Sequence, residues 1–202
     1  MQLTERDVEI LGFINDFGFC EVSHIGKRFG LKNLRSYKVM KRLICGGLVA
    51  HERVFHNRPG IYFVTREGAK HTPLPQIYKI PKDLYKHQIA IIDVYFKLIQ
   101  LYPDAVWISE RVLKRDKFTE GIGRAGHLAD GKLILPDRKQ VAIEVELTMK
   151  SRRRLEQIFR AYTLQIAVKE VWYFCAPDVY SSMKQAAAKK SFIKIHQLGE
   201  VV

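Results

Sequence analysis

An α+β or α/β chain in two parts is expected here, with three short helices and a hairpin over residues 1–70 and a mixed-sheet domain over 83–202. Three observations point to it. Apolar residues recur at helical spacing three times before Gly47, and each run closes on glycine. Pro73, Pro75 and Pro81 then fall in an aperiodic stretch, so residues 71–82 read as an extended linker. Beyond residue 105, strand-like runs alternate with two amphipathic helical runs. With 47% hydrophobic residues, 11 Phe and 9 Tyr among them, the 202-residue chain has material for a packed core.

The first helix begins at Glu5 behind an N-cap at Thr4, turns Val8, Ile10, Leu11, Phe13, Ile14 and Phe17 inward, and ends at Gly18. A second is expected behind a cap at Ser23, with Ile25 and Phe29 inward and Gly30 as its stop. The third opens at Asn33. Its inner face is Val39 or Met40, Leu43 and Ile44, and its outer face collects Arg35, Ser36, Lys38, Lys41 and Arg42. Leu48 to Phe55 and Ile61 to Thr65 read as strands around a His56-Asn57-Arg58-Pro59-Gly60 turn. Three helices and a hairpin with a basic tip form the layout of a winged helix-turn-helix.

Charge suggests the partner. The chain carries 34 Lys and Arg against 21 Asp and Glu, a net charge of +13. The excess lies in both halves, with 14 basic and 7 acidic residues through Lys82 and 20 and 14 after it. Such a balance predicts a polyanionic partner. A helix of roughly a dozen residues fits the major groove of double-stranded DNA, with Arg35, Ser36, Lys38, Lys41 and Arg42 toward bases and phosphates. Arg53, His56 and Arg58 on the hairpin are placed to reach the adjoining backbone. No apolar run approaches the ~18 residues that span a bilayer, so a cytoplasmic protein with no membrane partner is expected. Cys20, Cys45 and Cys175 are far apart among apolar residues and read as buried free thiols.

Asp83 is expected to cap a helix of almost twenty residues ending before Pro103; its centre, Ile89 to Phe96, is apolar nearly all round and suits a core. Strands are expected at Val106 to Val112, His127 to Leu135, Val141 to Leu147, Val171 to Cys175 and Phe192 to Gln197, and helices at Lys150 to Ala167 and Tyr180 to Lys189. Alternation on the third strand puts Glu144 and Glu146 on one face, and Asp130 on the strand before brings a third carboxylate near. Three hard oxygen donors on adjacent strands suit Mg²⁺ or Mn²⁺, which stabilises charge on a phosphate. Alternatively, Lys150, Arg152, Arg153 and Arg154 neutralise these acids as structural ion pairs.

The element order and acid pattern resemble the restriction-endonuclease-like PD-(D/E)XK nuclease fold. The resemblance implies catalytic and metal-holding roles for Asp130 and Glu144, with Glu146 standing where that fold usually has Lys. Lys150 is the residue placed to supply the missing positive charge, and Arg152, Arg153 and Arg154 to grip phosphates. More narrowly, the chain resembles the replication-relaxation family, related to MobC-type plasmid relaxases. The likeness lies in the winged helix, His87-Gln88-Ile89-Ala90, the segment Ala142 to Ser151, and the basic helix through Tyr162. It implies binding, and nicking or cleavage, at a plasmid transfer or replication origin. A second copy of the chain, or a relaxosome or replication complex, is the expected assembly. A non-catalytic regulator or accessory factor is the alternative, and Glu146 favours it.

Other signals carry less. Gly121-Ile122-Gly123-Arg124-Ala125-Gly126 fits G-x-G-x-x-G but precedes a strand, so a Gly-rich loop is the better reading. The sequence holds no Walker A motif, against an ATP motor, and no His-x-His pair, against a His-metal relaxase.

Overall fold

The computed structural model describes residues 2–119 and 127–199, and the chain divides into two compact units, Met1–Ile92 and Asp93–Val202. The Gly-rich 121–126 stretch lies outside the described residues. Among the described residues are eight α-helices and two β-sheets, a mixed α+β fold. No helix among them is long and apolar enough to cross a membrane.

The first unit opens with α1 (Glu5–Phe17). Thr4 caps it reciprocally: its hydroxyl accepts from the Asp7 N–H at 3.3 Å, and the Asp7 carboxylate accepts from the Thr4 N–H at 2.9 Å. A three-residue strand β1 (Phe19–Glu21), too short to show alternation, leads into α2 (Val22–Phe29), α3 (Asn33–Cys45), β2 (Val49–Glu52), β3 (Ile61–Val64) and α4 (Arg66–Ala69). The strands form an antiparallel sheet in the order β1-β3-β2. The cap of α2 is Glu21, not Ser23. The Glu21 N–H donates to His24 Nδ1 at 3.1 Å, which starts the helix two residues earlier and leaves Ser23 within it. Ile44, expected inside, is 37% exposed, because Met40 and Leu43 already fill the face turned to the core.

Residues 71–82 belong to this unit. They do not form a detached linker: Leu74 and Ile80 are buried, and the Asn15 side-chain amide donates to the Leu74 carbonyl at 2.7 Å. Asp83 lies within a 3-10 turn (Lys82–Leu84) that precedes α5 (Tyr85–Leu101), rather than capping the helix itself. The unit boundary falls inside α5, whose Ile91, Ile92, Val94, Tyr95, Phe96 and Leu98 are buried as its apolar centre predicts.

The second unit runs β4 (Val106–Ser109), α6 (Glu110–Thr119), β5 (Gly131–Ile134), β6 (Gln140–Glu146), α7 (Arg152–Thr163), β7 (Val168–Cys175), α8 (Pro177–Ala187) and β8 (Ile193–Gln197). Its sheet has the order β4-β5-β6-β7-β8. The β4–β5 and β5–β6 pairs are antiparallel, and the β6–β7 and β7–β8 pairs are parallel. The expected strand Val106 to Val112 stops at Ser109, whose hydroxyl accepts from the Val112 N–H at 3.3 Å and turns the chain into α6. Gly131 lets β4 approach, since a Cβ there would meet the Trp107 ring at 2.3 Å.

Residues 141–146 of β6 are buried on both faces. On the face of Ala142, Tyr173 and Cys175, the sheet is covered by Leu155, Ile158, Phe159 and Tyr162 of α7 and Val179 and Met183 of α8. Their spacing of three and four residues on α7 is the apolar stripe of a helix laid on a sheet. Burying each such side chain contributes about 2 kcal/mol. Cys20 and Cys175 are buried free thiols as expected, whereas Cys45 is exposed at the outward end of α3.

Candidate nucleic-acid interface and acidic cluster

Two sites emerge, one in each unit. In the first, α3 buries Ser36, Met40 and Leu43 and turns Arg35, Lys38, Lys41 and Arg42 to solvent. The helix holds no acidic residue. Ser36 is a correction. At 1% exposure its hydroxyl donates to the Leu31 and Lys32 carbonyls at 3.3 Å, tying the loop before α3 to the helix and pointing away from any groove. Arg42 pairs with the buried Asp7 of α1. Burial would raise the Asp7 carboxyl, but the Thr4 hydrogen bonds and Arg42 outweigh it and hold it below the usual range. On the hairpin, Arg53, His56 and Arg58 are exposed, and Phe55 packs edge-on against Tyr85 with ring centroids 5.2 Å apart. The Tyr85 hydroxyl donates to Glu21 Oε1 at 2.5 Å, which fixes that aromatic anchor.

In the second unit the acids sit at the junction of β5 and β6. Glu144 and Glu146 are each 3% exposed. Parallel pairing sets Glu144 beside Tyr173 and Glu146 beside Cys175. Asp130, just before β5, accepts the Val145 N–H at 2.8 Å across the strands. Glu144 accepts from the Tyr162 hydroxyl, and its Oε1 lies 2.6 Å from His127 Nε2. Glu146 pairs with Lys150. Burial pushes the Glu144 carboxyl up and the charge of Asp130 adds to it, while His127 and Tyr162 pull against them. Burial likewise pushes up the Tyr162 phenol, with the Glu144 charge adding to it, and brings the Cys175 thiol to about 12.

Each carboxylate is thus held by a protein donor. The expected arginine ion pairs do not form: Arg152, Arg153 and Arg154 are exposed on the first turn of α7, and Lys150 alone of that run reaches Glu146. Among the described residues no three His, Cys, Asp or Glu side chains gather as a metal site. Asp130, Glu144 and Glu146 are oxygen donors of the kind a hard divalent ion takes, but each is engaged by a protein group. The Tyr173 hydroxyl, whose phenol is shifted upward by burial and then by the charges of Glu144, Glu146 and Asp130, has no hydrogen-bond partner among the described residues. For such an ion to enter, the Lys150 and His127 pairings would have to open.

His127 and Tyr162 had only weak signals in the sequence, and Tyr173 had none, because their contacts with Glu144 are made through tertiary packing. Comparison with protein-family models, curated proteins and solved structures finds no match.

Proposed function

We propose that this protein binds double-stranded DNA in the manner of a winged helix, with α3 in the major groove and the β2–β3 hairpin against the adjoining backbone. One observation carries the reading: Arg35, Lys38 and Lys41 are exposed on a helix that holds no acid, in a chain of net charge +13, while Arg42 of the same helix is engaged by Asp7. If these three side chains meet phosphates, they contribute roughly −3 to the slope of log K against log salt. Fluorescence anisotropy on a labelled duplex between 50 and 300 mM salt, on the order of the range where such terms dominate, measures that slope. A flat salt response, or no binding at the low end, refutes the reading.

For the second unit the same proposal is a PD-(D/E)XK-like domain, which nicks or cleaves DNA at a transfer or replication origin as in the replication-relaxation family. The antiparallel β4-β5-β6 ladder continued by parallel β7, with Asp130, Glu144 and Glu146 at its centre, supports it. Asp130, Glu144 and Glu146 would hold Mg²⁺ or Mn²⁺, which supplies charge stabilisation at the phosphate and an activated water. His127 and Tyr162 orient Glu144; Lys150 holds Glu146. The accessory-factor reading draws on the Lys150–Glu146 pair, which neutralises an acid that a catalytic ion would need. Conversion of supercoiled plasmid to open circle with Mg²⁺ or Mn²⁺, lost in Asp130→Ala, is the outcome for a nuclease. Salt-sensitive binding without cleavage is the outcome for the accessory factor.

A further inference from the structure

The face of α3 that turns to solvent is not purely cationic. Leu34 is 79% exposed and Tyr37 is 54% exposed. Single exposed apolar residues are ordinary on protein surfaces. These two occupy one turn of one helix, and their neighbours on that face are Arg35, Lys38 and Lys41. At 3.6 residues per turn, Leu34, Lys38, Lys41 and Cys45 form the ridge opposite the buried Ser36, Met40 and Leu43, with Tyr37 beside it. A surface of this kind matches a partner that is anionic and presents small apolar groups between its charges. The major groove of DNA does so through the C5-methyl of thymine.

We infer that Leu34 and Tyr37 select thymine methyl groups, while Arg35, Lys38 and Lys41 supply affinity that is indifferent to sequence. The inference rests on the DNA-binding reading above. It divides the helix into two functions by chemistry: cations set strength and salt dependence, and the apolar pair sets preference for thymine-bearing steps. Burial of one methyl group is worth about fourfold in binding.

The test uses the full chain and three labelled duplexes of equal length: alternating A and T, the same duplex with deoxyuridine replacing every thymidine, and alternating G and C. Uracil differs from thymine only by the missing methyl, so the phosphate contacts are the same in the first two. The expected result is binding about fourfold or more tighter to the thymine duplex than to the uracil duplex. Leu34→Ser with Tyr37→Ser brings that ratio to one with an unchanged salt slope. Lys38→Gln with Lys41→Gln weakens binding to all three duplexes, lowers the slope and leaves the ratio intact. All four positions are exposed, so these variants spare the core, and circular dichroism checks the fold. Equal wild-type affinity for the thymine and uracil duplexes, with a steep salt slope, overturns the inference and leaves the DNA reading standing. So does a preserved ratio in the Leu34 and Tyr37 variant. Absence of binding to any duplex at low salt overturns both, and leaves an acidic protein surface as the partner this face fits.

Discussion

Replacing Lys150 by Met tests how the acidic cluster is held. The Glu146 side chain is 4% exposed and that of Lys150 34%, so the substitution removes the ammonium partner of an almost fully buried carboxylate. Breaking a buried ion pair from one side costs about 3–5 kcal/mol. Water reaches a third of Lys150 and reduces that to about 2 kcal/mol. Both tryptophans of the chain, Trp107 and Trp172, lie in the second unit, so their fluorescence during urea unfolding reports on that unit alone. A unit of this size loses roughly 1–1.5 kcal/mol per molar urea, so the midpoint should fall by about 1.5 M. Adding Glu146→Gln should restore most of the loss, because both charges then leave together. Manganese supplies a second arm: if the carboxylates accept a divalent ion, the ion should stabilise Lys150→Met more than wild type, since Glu146 has been released. A loss under about 0.5 kcal/mol in Lys150→Met, or a double variant no more stable than the single one, refutes the account of the pair.

Two further predictions follow from the same physics. Glu170 accepts from Lys139 at 2.7 Å, Lys194 at 3.0 Å and Trp172 at 2.7 Å. Burial would raise its carboxyl, but these donors outweigh it and bring it to about 2. Its folded value lies below its unfolded one, so it stabilises the second unit above the ordinary carboxylate range. That contribution drains away as pH falls through the range toward 2, and Glu170→Gln should flatten this acid limb in urea midpoints measured from pH about 5 downward; an unaltered limb contradicts it. Ser36→Ala should cost about 1 kcal/mol in thermal unfolding through its lost carbonyl bonds while leaving DNA affinity unchanged; a drop in affinity at constant stability would return Ser36 to the interface.

What sequence reasoning could reach follows the range of each signal. The Thr4 cap, the Gly18 and Gly30 stops and the alternation through Glu144 and Glu146 are local, and each lies where expected. β1 is hidden because three residues cannot display a period, and the start of α6 because Val106, Trp107 and Ile108 read on to Val112 as one strand unless Ser109 is taken as a cap. Among the candidate site residues, the basic outer face of α3 was legible from helical spacing. Ser36 was misplaced because a small hydroxyl fits either face of a helix and was decided by the Leu31 and Lys32 carbonyls. The grip of His127 and Tyr162 on Glu144 spans 17 and 18 residues of sequence and depends on how α7 lies against β6, which no local pattern encodes.

The three thiols of the chain form a natural set of reporters. Cys45 stands in solvent at the far end of α3, while Cys20 is sealed in the first unit and Cys175 in the second. An alkylating reagent should therefore mark Cys45 at once and reach the other two only when their own unit opens. Mass spectrometry of the pulse-labelled protein then yields an opening rate for each half of the molecule without an engineered probe.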